Sequence, residues 1–97
     1  MAEVRKARIA EADLDEIWDY IAKDNPDAAD GLIRDIETTC RRIARAPLLR
    51  RRRNELKVGI RTFAMGNCVI FYQPEEAGIL VLRVLHGARD IEAAFES

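Results

Sequence analysis

The chain lacks most of the features on which enzymes and membrane proteins depend. Its 97 residues include one histidine and two cysteines, and no apolar run approaches the roughly 18 residues of a membrane span. The sequence contains no glycine-rich phosphate loop, no cluster of metal ligands and no nucleophile with a convincing base. The charged stretch Glu3–Arg8 is unlike the apolar part of a signal peptide. We therefore expect a cytoplasmic protein with no cofactor, no metal and no membrane partner.

The composition predicts a single globular domain spanning residues 1–97. Hydrophobic residues make up 48% and charged residues 34% of the chain, which is typical of a folded protein. The chain is too short to divide into two domains with separate cores. Cys40 and Cys68 have neither the spacing of metal ligands nor that of a disulfide framework, so both are interpreted as buried apolar residues.

The net charge of −1 conceals a segregation of charge along the chain. Eleven acidic residues lie between Glu3 and Glu37. Between Thr38 and Phe63, by contrast, Glu55 is the only acidic residue against nine basic ones. This pattern predicts one surface that attracts an anionic partner and another that repels it. Two solvated surfaces that merely keep the protein soluble are the alternative.

Two amphipathic helices are predicted after a short first strand at Glu3–Ile9. The first helix, Glu11–Lys23, has apolar residues at helical spacing on one face and acidic residues on the other. Its apolar face is Leu14, Ile17, Trp18, Ile21 and Ala22, and its polar face is Asp13, Asp15, Glu16 and Asp19. Asn25 and Pro26 then start a second helix, because asparagine is a good N-cap and proline is tolerated at the first helical position. Pro47 marks the end of the second helix. Because the link between the two helices is so short, they are predicted to form an antiparallel hairpin.

Three segments rich in β-branched and aromatic residues are predicted to be strands: Ile60–Ala64, Cys68–Gln73 and Ile79–Leu85. Turn-like sequences at Met65–Asn67 and Pro74–Gly78 separate them, so the strands should form an antiparallel meander. The hairpin packed on this meander is an α+β fold with a small, mainly antiparallel sheet. A short C-terminal helix at Asp90–Phe95 is an option that the sequence leaves open.

A run of four arginines lies between the helix pair and the sheet, in a predicted loop: Arg50, Arg51, Arg52 and Arg53. Their guanidinium groups suit phosphates or a carboxylate-rich partner, because arginine offers planar bidentate donors that lysine lacks. A solvated basic loop is the alternative interpretation. We take the run as a candidate partner-binding surface.

Arg61, Arg83 and His86 are further candidates for chemistry or binding. Both arginines are predicted to lie in strands among apolar neighbours, where a charge needs a salt-bridge partner or a groove. The candidate salt-bridge partners are Glu55, Asp90 and Glu92. A lone histidine is more often a structural hydrogen-bonding residue than a catalyst, and it cannot form a metal site alone.

The aromatic residues have two interpretations. Trp18 and Tyr20 on the first helix, and Phe63, Phe71 and Tyr72 in the sheet, are most simply core residues. Some of them could instead line a groove for a partner helix, and Trp18 and Phe63 are the candidates for this role.

Six segments spread over almost the whole chain carry a family resemblance: Ala12–Ala22, Asp24–Pro26 with Ala28 and Ala29, Asn54–Leu56, Gly59–Arg61, Val69–Tyr72 and Ile79–Ile91. Together they resemble the ParE-type toxins of the ParE/RelE superfamily, and the last segment is the most specific. One departure is visible, because such toxins often have a glycine two positions after the loop proline, where this chain has Leu49.

The resemblance implies the toxin of a type II toxin–antitoxin system with the RelE/ParE fold. A cognate ParD-like antitoxin would hold it inactive by folding its flexible C-terminal segment over the toxin. The antitoxin's N-terminal part would dimerise and bind operator DNA, so the toxin reaches that DNA only indirectly. An acidic antitoxin segment also agrees with the segregated charge, since it would meet the arginine-rich surface.

Two mechanisms and one inactive alternative follow from the resemblance. The favoured mechanism is a non-enzymatic poison of DNA gyrase, which traps cleaved DNA and needs binding surfaces but no catalytic set. The alternative is RelE-like, ribosome-dependent cleavage of messenger RNA, for which Arg61, Arg83 and His86 are the matching residues. Against it, the lysine-rich strand and C-terminal tyrosine of RelE are missing, and Phe95 cannot transfer a proton. A third alternative is a non-toxic member that acts as antitoxin partner and co-repressor.

Overall fold

The fold is α+β, as predicted, with a helical hairpin packed on a mainly antiparallel sheet. The computed structural model describes residues 2–49, 51–52 and 59–87, with side chains at all of these except 49, 51 and 52. The elements are β1 (Glu3–Lys6), α1 (Arg8–Ala22), α2 (Pro26–Arg45), a 3-10 turn (Pro47–Leu49), β2 (Arg51–Arg52), β3 (Arg61–Met65), β4 (Cys68–Glu75) and β5 (Gly78–His86). Among these residues the strand order is β1-β5-β4-β3-β2, with β1 parallel to β5 and all other pairs antiparallel.

The start of α2 lies where the sequence predicts it. The side-chain oxygen of Asn25 accepts a hydrogen bond from the backbone N–H of Ala28 at 3.1 Å, and Pro26 occupies the first helical position. Arg42 and Arg45 lie in the last turn, where cations interact favourably with the helix dipole. The helix ends at Arg45, just before Pro47, so both predicted boundaries are confirmed.

The start of α1 differs from the prediction. We predict a strand to Ile9 and a helix from Glu11, whereas β1 ends at Lys6 and α1 already begins at Arg8. The backbone N–H of Ala7 donates to Val81 at 2.9 Å, while the carbonyl oxygen of Ala7 accepts from Glu11 at 3.1 Å. Ala7 thus ends the strand and caps the helix with its backbone alone, and an alanine gives no sequence signal for such a start.

The three predicted strands are confirmed, with ends shifted by one or two residues. Gly66, with a φ of +56°, starts the β3–β4 turn in the conformation of a type II′ hairpin. Pro74 is predicted to lie in a turn but belongs to β4, where it pairs with Ile79. Since β3 pairs with β4 only as far as Tyr72, the missing N–H of Pro74 breaks no described ladder bond on that side.

The predicted arginine loop contains a short strand. Arg51 and Arg52 form β2, which pairs antiparallel with Thr62 and Arg61 of β3. The prediction that the whole run lies in a loop is therefore wrong for these two residues. Arg50 and Arg53 lie outside the described residues, and so does the candidate C-terminal helix at Asp90–Phe95.

The main core lies between the hairpin and one face of the sheet. Its buried residues include Ala10, Leu14, Ile17, Ile36, Cys40, Ile43, Ala44, Cys68, Ile70, Tyr72, Ile79, Val81 and Val84. A smaller cluster consists of Ile60, Phe71 and Leu85, with Val69 and Leu82 packed against it. Both cysteines are buried, as predicted. In contrast, Trp18 and Tyr20 are 37% and 68% exposed, so their interpretation as core residues is wrong. Among the described residues, no helix is long and apolar enough to cross a membrane.

The two glycines Gly78 and Gly31 give a matched prediction about packing. A Cβ at Gly78 would overlap the backbone of Glu3 in the adjacent strand, whereas a Cβ at Gly31 in α2 would meet nothing. We expect Gly78→Ala to destabilise the fold by about 1–3 kcal/mol or more, because β1 must move away from β5. We expect Gly31→Ala to stabilise it by about 0.5–1 kcal/mol through helix propensity. Urea unfolding measures both changes, and equal effects of the two variants would contradict the described packing.

Candidate functional site

Asp13 is the one buried charged residue among those described, with 5% of its surface exposed. Its carboxylate accepts two hydrogen bonds from the guanidinium of Arg83, from Nε at 2.8 Å and from Nη2 at 3.0 Å. It accepts a third from the backbone N–H of Val84 at 2.9 Å. The prediction that Asp13 lies on the polar face of the first helix is therefore wrong.

The sheet topology explains why a carboxylate is needed at this point. On one side β5 pairs with β1, but that register ends at Lys6 and Val81. The N–H of Val84 lies beyond the end of β1, and Asp13 on α1 supplies the acceptor that a longer strand would have supplied. The ladder with β4 also shifts between the pairs Phe71–Arg83 and Tyr72–Val81. Such a bulge re-aims side chains, and Arg83 is directed onto Asp13.

Arg83 is held as a charged group. The hydrogen bond from Arg83 to Asp13 raises the pKa of the arginine, which outweighs the lowering effect of burial, and the charges of Asp13 and Glu16 raise it further. The sequence predicts a salt-bridge partner for Arg83, and Asp13 fills that role. The candidate partners Glu55, Asp90 and Glu92 lie outside the described residues.

The position of Asp13 could have been found from helical spacing. Ala10, Leu14 and Ile17 are buried on α1, and Asp13 falls on the same stripe at the usual steps of three and four residues. An acidic residue within an apolar stripe is expected to be buried and to have a buried partner. An acidic residue beside the stripe is expected to be exposed to solvent.

His86 lies in a groove between α1 and the end of β5, which we call the α1–β5 groove. Its volume is about 610 Å³, and its lining residues include Asp13, Glu16, Asp19, Tyr20, Lys23, Asn67 and His86. The ring of His86 packs beside that of Tyr20, with centroids 6.3 Å apart and planes at 57°. Since Asp13 is paired with Arg83, the carboxylates of Glu16 and Asp19 outnumber the ammonium group of Lys23. The groove is therefore net negative.

The sheet register places Arg61 and His86, two of the three residues that would be needed for RNA cleavage, far apart. Arg61 pairs with Tyr72, whereas His86 pairs with Cys68, which lies four residues away on the same strand. Arg61 and His86 also belong to strands on opposite sides of β4. At about 3.3 Å per residue and 4.8 Å per strand, their backbones are roughly 16 Å apart. Arg83 pairs with Phe71, and its guanidinium is held by the carboxylate of Asp13.

Trp18 lies on the outer face of the hairpin. Its indole Nε1 donates to Asp30 of α2 at 2.8 Å, which links the two helices. It borders a shallow groove of about 340 Å³ whose other lining residues are Lys6, Glu11, Leu14, Asp15, Ile33 and Glu37. This outer groove has an apolar floor and an acidic rim. Phe63, the other candidate groove residue, is half-buried and packs against the main core.

The C-terminal half of α2 carries a basic surface, formed by Arg41, Arg42 and Arg45 and here called the α2 basic surface. All three side chains are exposed, and none has a carboxylate partner among the described residues. Leu48, with 66% of its surface exposed, lies in the 3-10 turn that follows α2. The chain then enters β2, where Arg52 pairs with the half-buried Arg61. The α2 basic surface therefore leads in sequence into the Arg50–Arg53 run.

Comparison with known proteins gives a consistent result. Residues 4–91 match the sequence model of the ParE toxin of the type II toxin–antitoxin system parDE. The chain is 28% identical to Toxin ParE3 of Caulobacter vibrioides over 94 residues, which covers 96% of the chain and 94% of the relative. It is 32% identical to Toxin ParE1 of the same organism, with 96% and 97% covered. It is similar in structure to a chain of the chromosomal ParDE system from P. aeruginosa, with a TM-score of 0.74, 23% identity, and 91% and 98% covered.

The buried pair gives a prediction about stability. Asp13→Ala leaves the charge of Arg83 and the N–H of Val84 without this acceptor, so we expect a loss of about 3–5 kcal/mol in the free energy of unfolding. Asp13→Asn keeps an acceptor for Val84 and should lose less. The matched control is Asp15→Ala, an exposed carboxylate on the same helix, which should change stability by less than about 0.5 kcal/mol. Equal losses for Asp13→Ala and Asp15→Ala in urea unfolding would contradict a structural role for the pair.

Proposed function

The chain belongs to the ParE toxin family and is a ParE-type toxin of a toxin–antitoxin system, and on this premise we propose that it poisons DNA gyrase and is neutralised by direct binding of a cognate ParD-like antitoxin. The gyrase target follows from what the family implies. In this proposal the toxin acts in the cytoplasm on gyrase that holds cleaved DNA, and operator DNA is reached only through the antitoxin.

The pairing of Arg83 with Asp13 is the observation that favours binding over catalysis. A nuclease needs arginines that are aimed at the position where charge develops on the phosphate. The guanidinium of Arg83 instead makes two hydrogen bonds to a buried carboxylate. An arginine held in this way serves the fold, and its withdrawal would leave a buried charge without a partner.

The surroundings of His86 also disfavour RNA as a substrate. A general acid or base must come within hydrogen-bond reach of the reacting oxygen. To do so here, a phosphodiester would have to enter the α1–β5 groove past Glu16 and Asp19, whose negative charges repel it. The ring of His86 packs against Tyr20, in agreement with a structural role.

The α2 basic surface supports the antitoxin part of the proposal. Its arginines lie on one half of α2, and the exposed Leu48 offers an apolar contact beside them. A flexible acidic segment that folds on binding would gain both charge pairing and apolar burial here. Electrostatic complementarity of this kind mainly increases the association rate and the specificity.

The proposed cellular target can be tested with purified components. Purified toxin, added to gyrase with ATP and supercoiled plasmid, should increase the amount of linear DNA released when the mixture is denatured with detergent. Antitoxin added first should suppress this increase. The ribosome-dependent cleavage of messenger RNA, measured in parallel, should stay at background because the guanidinium of Arg83 is held by Asp13.

His86→Ala separates the two mechanisms. We expect this variant to match the unaltered toxin both in growth inhibition and in trapped gyrase cleavage complexes. Messenger cleavage that disappears with His86→Ala would overturn the gyrase proposal in favour of RNA cleavage. A toxin without any growth defect on expression alone would support an antitoxin partner and co-repressor instead.

The proposed antitoxin contact predicts a salt dependence of binding. The double variant Arg42→Ala/Arg45→Ala should weaken binding by roughly two- to tenfold at physiological salt and flatten its dependence on salt concentration. Alanine at Arg50, Arg51, Arg52 and Arg53 tests the neighbouring run in the same way. Arg8→Ala, an exposed arginine on the opposite, acidic part of the chain, is the control. Calorimetry that gives the same affinity and salt slope for all these variants would contradict the electrostatic part of the proposal.

A further inference from the structure

A cleft of about 240 Å³ opens between α1, α2 and the edge strand β1. Its wall is apolar and consists of Val4, Leu14, Ile36, Cys40 and Val84. Its mouth carries Ala2, Lys6, Glu37 and Arg41. We call this site the β1–α2 cleft. None of the candidate residues of the sequence lines it.

The wall of the cleft is suited to an apolar group. Leu14, Ile36, Cys40 and Val84 belong to the main core, so the cleft reaches core side chains directly. Burial raises the pKa of the Cys40 thiol to about 11, an effect that outweighs the lowering by Lys6, so the thiol is neutral at physiological pH. An apolar cavity of about 150 Å³ is already large enough to hold benzene. The cleft thus has room for a branched or aromatic side chain.

The mouth of the cleft determines the charge of its occupant. Lys6 and Glu37 form an ion pair, with Nζ and Oε1 2.9 Å apart, and neutralise each other. The guanidinium of Arg41 donates to Thr38 Oγ on its own helix at 3.2 Å and has no carboxylate partner among the described residues. One positive charge therefore remains at the mouth, that of Arg41, which also belongs to the α2 basic surface.

We propose that the β1–α2 cleft receives an apolar side chain from the acidic segment of the antitoxin, while a carboxylate close to that side chain pairs with Arg41. This inference rests on the proposed antitoxin binding and adds the place where the segment is anchored. The other two grooves are unsuitable, because the α1–β5 groove and the outer groove beside Trp18 are both rimmed by carboxylates that repel an acidic segment. Of these three grooves, the β1–α2 cleft alone combines an apolar wall with a mouth whose described charges leave a net positive charge.

The two cysteines provide an internal test. Both are free and buried, but Cys40 lines the cleft and Cys68 does not. The probe is methyl methanethiosulfonate, applied to the toxin alone and to its complex with the cognate antitoxin, and mass spectrometry follows each thiol. We expect complex formation to slow modification of Cys40 at least tenfold more than that of Cys68. An equal slowing of both thiols would report general stabilisation of the fold and would overturn the inference.

Two substitutions test the wall and the mouth separately. Cys40→Leu fills part of the cleft, and we expect it to weaken antitoxin binding by about tenfold or more, in proportion to the apolar burial that is lost. Arg41→Ala should weaken binding more than Arg34→Ala, an exposed arginine on the same helix that does not line the cleft. Thermal unfolding of each variant checks that the fold is retained.

The outcomes separate this inference from the proposed function. Reduced affinity for Cys40→Leu and Arg41→Ala in folded variants, together with selective protection of Cys40, would support the cleft as the anchor site. An antitoxin that binds both variants as tightly as the unaltered toxin would overturn the inference and leave the proposed function standing. Absence of any complex with the unaltered toxin would overturn both.

Discussion

The hydrogen bonds of the Asp13 carboxylate fix the position of the helical hairpin on the sheet. A buried charge is costly unless it is paired and hydrogen-bonded, and Asp13 meets this condition only when α1 lies against the bulged part of β5. Val84, whose N–H donates to Asp13, lines both the β1–α2 cleft and the α1–β5 groove. The shape of both concave sites therefore depends on this one contact between α1 and β5.

The local rules of helix and turn formation determine much of the fold, and long-range pairing determines the rest. Asn25 and Pro26 mark a helix start because capping involves neighbouring residues, and apolar periodicity indicates both helices and three strands for the same reason. The burial of Asp13 depends on Arg83, which lies 70 positions away in the chain. The parallel pairing of β1 with β5 likewise arises from a distant partner, whereas β2 has only two residues and is too short to show an alternating pattern.

Residues of the same type have different roles here because of their positions in the sheet. Arg61 and Arg83 have similar neighbours in sequence, and the sequence assigns both to strands with a partner or a groove. The bulge in β5 directs Arg83 to a buried carboxylate, whereas Arg61 lies opposite Arg52 beside the arginine-rich run. The exposure of Trp18 and Tyr20 is likewise not indicated by their residue type. The face of α1 that packs on the sheet is already filled by Ala10, Asp13, Leu14 and Ile17. The aromatic rings are left at its margins, one bonded to Asp30 and the other packed on His86.

Charge segregation also bears on how such a toxin can be neutralised. A target that holds cleaved DNA presents phosphates, and a cationic surface such as Arg41, Arg42 and Arg45 is attracted to them. In the proposed function an acidic antitoxin segment covers this same surface, so it competes with the DNA for the same guanidinium groups. Neutralisation would then require no change in the toxin's conformation. An apolar anchor in the β1–α2 cleft would make this competition unequal, since DNA has no group that fills an apolar cleft and therefore gains nothing from it.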